Sequence, residues 1–477
     1  LLVAHLAIHD GGGPLSKDYP VQHGCRHVIL VATAAWFFHP ATANAQALSA
    51  AEADALRAEL AAVKSQLQRM ETRLDAVAPA TQTASASPLV AKPEAAKINW
   101  RSAPRISQGG WSFEPIGRIQ YDAAYVSRPA GNRDRGLGFS NEARRIRLGG
   151  EGSSPGGLGY KIEAEFSDNI VDLVDAFVTY ETGKFKLKAG NHNQFQSLDE
   201  LIGDTTGSVM ERAAFTDAFG FERRLGLSAE YKSGPWLAQA GIFTDSVGSL
   251  NNASDGPDGG DENNSYGVDG RLVFAPKIGD LQLHLAGSAH WRNYNRLADA
   301  PVRLSQRPYT HTSNTRVLDT GGILARSESR GGVELAGTSG PLYFAAEYQR
   351  LRLDRIDGAA LVFQGGYAEI GYFLTRGDTR SYRDGIFQRS APAKPIDEGD
   401  IGSIQATIRY DYLDLNSRNI RGGKQNGIIG ALIWAPNAYL RLNLNYARMQ
   451  YSGRTLAIPV VEDDDLDIVA ARIEFDY

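Results

Sequence analysis

The sequence predicts an all-β fold, a 16-stranded antiparallel transmembrane β-barrel, preceded by a short N-terminal α-helical coiled coil. Three observations predict it. From Trp111 onward, apolar and polar residues alternate with a period of two, the pattern of a strand with two unlike faces. The alternating segments are long, and aromatics recur near their ends (Tyr160, Tyr180, Tyr231, Trp291, Trp434, Tyr446), as in barrels with aromatic girdles. The closing stretch DIVAARIEFDY puts Val469, Ala471, Ile473, Phe475 and Tyr477 on one apolar face, and Ala470, Arg472, Glu474 and Asp476 on the other. Such a strand needs a partner along its edge and an apolar medium over one face.

Composition agrees. The 477 residues carry 50 basic and 55 acidic side chains, a net charge of -5, which leaves no nucleic-acid footprint. Glycine (51), tyrosine (20) and phenylalanine (18) are plentiful and methionine (3) is scarce, which suits a β chain with many turns.

The first element is VILVATAAWFF, Val28–Phe38, shorter than the roughly 20 residues a spanning helix needs. Arg26 precedes it, Pro40 follows, and Ala43-Asn44-Ala45 supplies small residues for cleavage. Residues 1–45 therefore read as a signal peptide with upstream residues, cut after Ala45. The lone Cys25 would leave with it, so the exported chain is expected to hold no disulfide and no thiolate metal site. No cofactor is expected either. With no spanning helix in the remaining sequence, membrane residence requires a barrel.

Residues 46–78 form the second element. Ser49 and Glu52 make a capping box. Leu56, Leu60, Val63, Leu67, Met70, Leu74 and Val77 then alternate by four and three, a heptad seam. Glu52 with Arg57 and Glu59 with Lys64 supply opposite charges at g and e positions, the pairing of parallel chains. A periplasmic coiled coil of more than two strands is expected. Residues 79–99 are rich in Ala, Pro, Ser and Thr without a period, a flexible linker.

Residues 100–477 supply the barrel. Alternating segments fall near 111–127, 141–152, 158–168, 172–182, 184–192, 222–232, 235–245, 265–276, 279–293, 328–338, 340–353, 360–374, 401–415, 425–434, 437–451 and 465–477. Their even number fits bacterial barrels and leaves an aqueous lumen. Short turns at Gly183, Gly234, 276–279 and 435–436 alternate with long stretches at 193–221, 246–264 and 294–327. Barrels place the former in the periplasm and the latter outside. The polar faces carry Arg118, Arg145, Arg147, Lys184, Lys186, Lys188, Arg224, Arg271, Arg292, Arg409, Arg441 and Arg472. KFKLK sets three lysines along one face. Acids share these faces (Asp122, Glu163, Asp175, Asp269, Glu334, Glu369, Asp411 among them), so cross-strand pairing is expected. The 193–221 loop is acidic, with Arg212 its only basic residue.

Four stretches carry a more specific resemblance: EARRIRLGGEG, VDAFVTYETGKFKLKAGN, GYFLTRGDTRSYRDGIFQRSAPAKP followed by IQATIRYDYLDLN, and ALIWAPNAYLRLNLNYA. Together they resemble the phosphate-selective porin O and P family from about Trp111 to Tyr477. The resemblance implies trimeric pores of the bacterial outer membrane, with basic lumen residues and inward-folded segments narrowing a path for small anionic solutes. It also implies that segment 375–400 can enter the lumen with Arg376, Arg380, Arg383, Arg389 and Lys394; the plainer alternative is a solvated loop balanced by its own acids. The expected function is a water-filled channel for passive diffusion of small hydrophilic or anionic solutes, phosphate among the candidates, and not an enzyme. The alternative is a structural tether whose coiled coil reaches the cell wall. Expected partners are two further copies, outer-membrane lipid and the barrel-assembly machinery, which the C-terminal strand would engage.

Other motifs carry less. GSSPG (152–156) matches a hydrolase pattern but lies between strands, so a turn is expected. DGPDGGDEN (255–263) and EDDD (462–465) read as solvated loops. His284 and His290 read as polar lining rather than metal ligands.

Overall fold

The computed structural model describes residues 96–100, 103–128, 134–167, 169–247, 265–294, 301–454 and 465–477, with Ala61, Lys64, Ser65, Gln66, Gln68, Arg69 and Thr72. The chain divides into two units, Leu1–Val90 and Ala91–Tyr477. In the first, the described residues are helical, and the Thr72 hydroxyl donates to the Gln68 carbonyl one turn back (2.7 Å). The seam residues Leu60, Leu67, Met70 and Leu74 lie outside the described residues, as do the signal peptide, most of the linker and the acidic stretch 255–263. Chain pairing at the seam is therefore untouched by the structure.

The second unit is a closed antiparallel sheet. Its barrel strands are β1 (Trp111–Val126), β2 (Gly138–Ser153), β3 (Leu158–Glu165), β4 (Asp172–Thr182), β5 (Phe185–Asn193), β6 (Arg223–Ser233), β7 (Trp236–Phe243), β8 (Tyr266–Phe274), β9 (Leu281–Asn293), β10 (Ala325–Ser339), β11 (Leu342–Arg355), β12 (Leu361–Phe373), β13 (Ser403–Ser417), β14 (Ile420–Ala435), β15 (Leu440–Arg454) and β16 (Asp465–Asp476). Each pairs with the next. The terminal strand β16 closes on β1, from Ile468↔Val126 to Asp476↔Arg118. Tyr477 then exchanges both backbone bonds with Gly117 (3.0 Å each). No barrel edge is left open there, which removes the liability of an unpaired strand.

Tight hairpins gather at the end that holds the C-terminus. Gly183, Gly234, Gly279 and Gly340 stand first in two-residue turns, with φ of 58°, 57°, 60° and 54°. A type II′ hairpin demands positive φ there, and glycine meets it without steric cost. GSSPG is likewise a turn, linking β2 to β3.

Side chains alternate as the period requires. On β13, Ile408 and Tyr410 are 54% and 47% exposed on the outer face, while Arg409 and Asp411 between them are 2% and 0%. The girdle aromatics Tyr160, Tyr180, Tyr231, Trp291, Trp434 and Tyr446 all face outward.

One expectation fails. The inner wall is not polar throughout. Leu351, Leu353, Leu361, Phe363, Leu413, Leu415 and Met449 are buried inside the barrel against Phe215 and Phe219 of the 194–222 loop and Leu304, Tyr309 and Leu318 of the 294–324 loop. The cause is loop docking: a loop that folds inward needs apolar surface to cover. Each such buried side chain contributes about 1.5–3 kcal/mol over exposure.

Candidate pore constriction

Two segments enter the lumen from opposite ends. The 194–222 loop carries two short helices, α1 (Leu198–Leu201) and α2 (Ala214–Phe219), and descends from the loop end. The 374–402 segment rises from the turn end, where the other connections are short. They meet where the Arg380 guanidinium donates to the Thr206 carbonyl (2.6 Å). Arg380 is held between the Tyr343 and Phe387 rings, 4.8 Å from each.

Acidic wall residues anchor the loop. Glu347 accepts from the Leu198 and Asp199 amides at the start of α1 (2.9 and 2.6 Å). Asp411 accepts from the Ala214 amide at the start of α2 (3.0 Å), and Glu369 from the Ser208 hydroxyl (2.6 Å). Helix N-termini present unpaired amides and a partial positive charge, so carboxylates suit them. These acids serve as loop anchors as well as cross-strand partners.

The basic residues fall into four groups. Arg118 on β1, Arg145 and Arg147 on β2, and Arg212 on the loop all reach the Asp204 carboxylate, at 3.4, 2.9, 3.2 and 3.0 Å. Beside them, Arg409 pairs with Glu369 (2.7 Å) and Asp199 (3.0 Å), and Arg472 with Asp122 (2.7 Å) and Glu211 (2.8 Å). Arg441 reaches Glu474 (3.4 Å) and the Thr205 and Gly207 carbonyls. On the far wall, Arg271 pairs with Glu334 (2.7 Å) and donates to the Gly385 carbonyl (2.9 Å). Arg292 pairs there with Asp245 (2.7 Å) and Arg224 with Glu222 (2.8 Å).

A third group lies toward the loop end, around a cavity of about 190 Å³ lined by Arg144, Arg145, Arg212, Arg307, Glu200, Asp217 and Tyr309, among others. Among the described residues, neither Arg307 nor Arg316 has a carboxylate within ion-pair distance, and Arg307 Nε and Arg316 Nη1 are buried without a hydrogen-bond partner. Burial first, then the like charge of Arg316, holds Arg307 below its ordinary value, against the pull of Asp217 and Glu211. The fourth group sits toward the turn end, in a cavity of about 570 Å³ that includes Lys184, Lys186, Lys188, Lys232 and Arg271.

The family model of the phosphate-selective porin O and P matches residues 113–477. The chain belongs to that family. It is a porin, a channel for small solutes in the bacterial outer membrane, and the turn end with its short hairpins is then the periplasmic one. A Caulobacter vibrioides protein of uncharacterised function is 50% identical to this porin over 490 residues, covering 98% of this chain and 99% of that one. Solved structures of similar fold include the anion-selective porin from Comamonas acidovorans, with a TM-score of 0.48, 13% identity, and 77% of this chain and 100% of that chain covered. OmpF of Salmonella typhi in complex with daunomycin is another, with a TM-score of 0.46, 11% identity, and 78% and 100% covered.

Of the side chains assigned to the porin's lumen by alternation, Arg118, Arg145, Arg147, Arg224, Arg271, Arg292, Arg409 and Arg441 are inside, and Arg212 joins them. KFKLK is corrected in part. Lys184 precedes β5 in the turn and donates to the Ser233 hydroxyl (2.9 Å), because the hairpin needs two residues. Lys186 pairs with Glu181 at the rim (2.8 Å), and Lys188 lies 4.9 Å from the Phe177 ring. Arg376 and Arg383 are exposed and stay outside the constriction, although Arg380 of the same segment enters it. His284 and His290 are buried in hydrogen-bonded contacts rather than lining water: His284 bonds Glu334 (3.1 Å) and the Tyr382 hydroxyl (2.6 Å), and His290 lies between two acids, Asp269 (3.0 Å) and Glu328 (3.1 Å).

Arg144 was invisible to alternation. The β1–β2 register shifts between Gln120 and Tyr121, so that Gln120 opposes Arg145 and Tyr121 opposes Ala143. The bulged Arg144 lies on neither pairing and reaches Glu211 (3.9 Å). Arg307 and Arg316 lay on a loop whose inward fold no period announces.

Proposed function

We propose that this porin passes small hydrophilic solutes by passive diffusion with a preference for anions, phosphate among them. The observation that carries this is Arg307 and Arg316, which make no ion pair among the described residues, with Arg307 beside Arg144 in the external cavity, on the approach to Arg145 and Arg212. Guanidinium forks match the geometry of phosphate and carboxylate oxygens. Arg144, Arg145, Arg212 and Arg307 outnumber Glu200, Glu211 and Asp217 around that cavity, and an excess of basic charge attracts a mobile anion. Elsewhere in the lumen the positive charge is largely matched by fixed carboxylates, which favours mild preference over strict selection.

The functional unit in this proposal is a homotrimer in outer-membrane lipid, exported by the signal peptide, assembled through the β16 signal and extended into the periplasm by the coiled coil. Its support is the family and the heptad seam.

The test is the zero-current potential of single channels in a planar bilayer under a potassium chloride gradient, with and without phosphate. A chloride-side potential with phosphate block is expected. A potassium-side potential refutes the anion preference. Failure to form channels, with a weakened envelope on removal of residues 46–97, would favour the tether.

A further inference from the structure

The cluster around Asp204 is arranged as a binding site for an oxyanion, and it is full. Arg118, Arg145, Arg147 and Arg212 come from two strands and a loop, yet all four reach one carboxylate within 3.4 Å. The carboxylate belongs to the loop itself, between Gly203 and Gly207. We propose that Asp204 is a tethered anion, a specificity-determining residue that occupies the channel's own anion site and keeps permeating phosphate from lodging there. The proposal rests on the anion-channel function above and deepens it.

The charge partners of each arginine separate this role from simple stapling of the loop. Arg118 has a second carboxylate in Asp476 (3.5 Å), Arg147 in Glu165 (2.7 Å) and Arg212 in Glu200 (3.1 Å). Arg145 has none among the described residues. Its other partner is the neutral Gln120 side chain (2.9 Å). Arg145 is buried, and a buried charge without a counter-charge is expensive. Asp204 therefore supplies what a bound anion would otherwise supply.

Three further observations fit. Burial alone would raise the Asp204 carboxyl, but Arg145, Arg212, Arg147 and Arg118 together hold it well below the ordinary carboxylate range. A cavity of about 40 Å³ adjoins it, lined also by Arg145, Arg212, Arg380, Arg409 and Arg472, with room for a few water molecules. The loop does not depend on Asp204 for its place, because Glu347, Glu369 and Asp411 hold it independently.

The test uses the full-length porin and three forms: wild type, Asp204→Asn and the double variant Asp204→Asn/Arg145→Gln. Asp204→Asn keeps the shape and removes the charge. Its half-blocking phosphate concentration in planar bilayers should fall by about tenfold or more, the worth of one charge-assisted hydrogen bond. Its zero-current potential should move toward chloride relative to wild type. Purified Asp204→Asn barrel in detergent should also gain unfolding temperature on adding inorganic phosphate, a readout that needs no conduction. The double variant should lose all three gains. Unchanged block, potential and phosphate stabilisation in a folded Asp204→Asn barrel would overturn the proposal. So would failure of Asp204→Asn to assemble, because Asp204 would then be a structural anchor. A wild type that favours potassium, alongside phosphate stabilisation of Asp204→Asn, would sink the anion-channel function and leave the tethered anion standing.

Discussion

Arg380 and Thr206 join two segments that enter the barrel from opposite ends, through a 2.6 Å hydrogen bond from guanidinium to carbonyl. The lumen is thus crossed by a contact between two inward folds, so the wall alone does not set its free width. Arg380→Ala removes the hydrogen bond and two ring contacts, each worth about 1–2 kcal/mol when desolvated. Single-channel conductance should rise and open-channel noise should increase, while the heat-modifiable mobility of the folded barrel on gels stays as in wild type. Unchanged conductance would place the constriction elsewhere.

Glu200 gives a pH dependence. Burial pushes its carboxyl up to about 7, against the pull of Arg212 and Arg223. The sign follows directly: the group is neutral at low pH and gains negative charge as pH rises through that value. Anion preference should therefore fall with rising pH, over about two pH units. Zero-current potentials on both sides of neutrality read the change, and Glu200→Gln should flatten it. A variant that keeps the full dependence would assign it to another group.

Arg307 and Arg316 should govern entry from outside. Neutralising both with glutamine removes the charge of Arg307 in the external cavity and that of Arg316 near it. Phosphate block from the external side should weaken by about tenfold, while block from the periplasmic side changes little. This asymmetry separates an approach site from a general change in lumen charge.

Ile408 and Arg409 test the faces of the wall. Ile408 is 54% exposed outward and Arg409 is 2% exposed within. Ile408→Arg places a charge toward lipid and should cost about 2–4 kcal/mol if the site lies near the bilayer midplane. Urea unfolding in lipid vesicles measures it. Stability within a few tenths of wild type would contradict the assignment of faces.

Much of the fold was legible because a barrel strand repeats one local rule. Leu440, Leu442, Leu444 and Tyr446 announced the outer face of β15, and Arg441, Asn443 and Asn445 the inner one. Gly183 and Gly234 announced hairpins because a tight turn demands a conformation glycine favours. The site was legible only by face. Arg118, Arg145 and Arg147 could be set inside by parity, but parity says nothing about what meets them there. Arg144 was lost to a bulge, which inserts one residue and breaks the period.

Period and turn chemistry are local properties of the chain, so the barrel strands and their two faces could be read from it directly, and the alternating last strand signalled that its edge needed a partner. It took the folded chain to show that a loop carboxylate fills the arginine cluster, that Arg380 reaches Thr206, that β16 closes on β1, and that Arg307 and Arg316 make no ion pair among the described residues. Those relations join residues far apart in the chain. They depend on which loops fold inward, and that is set by the buried apolar wall and the anchoring carboxylates acting together.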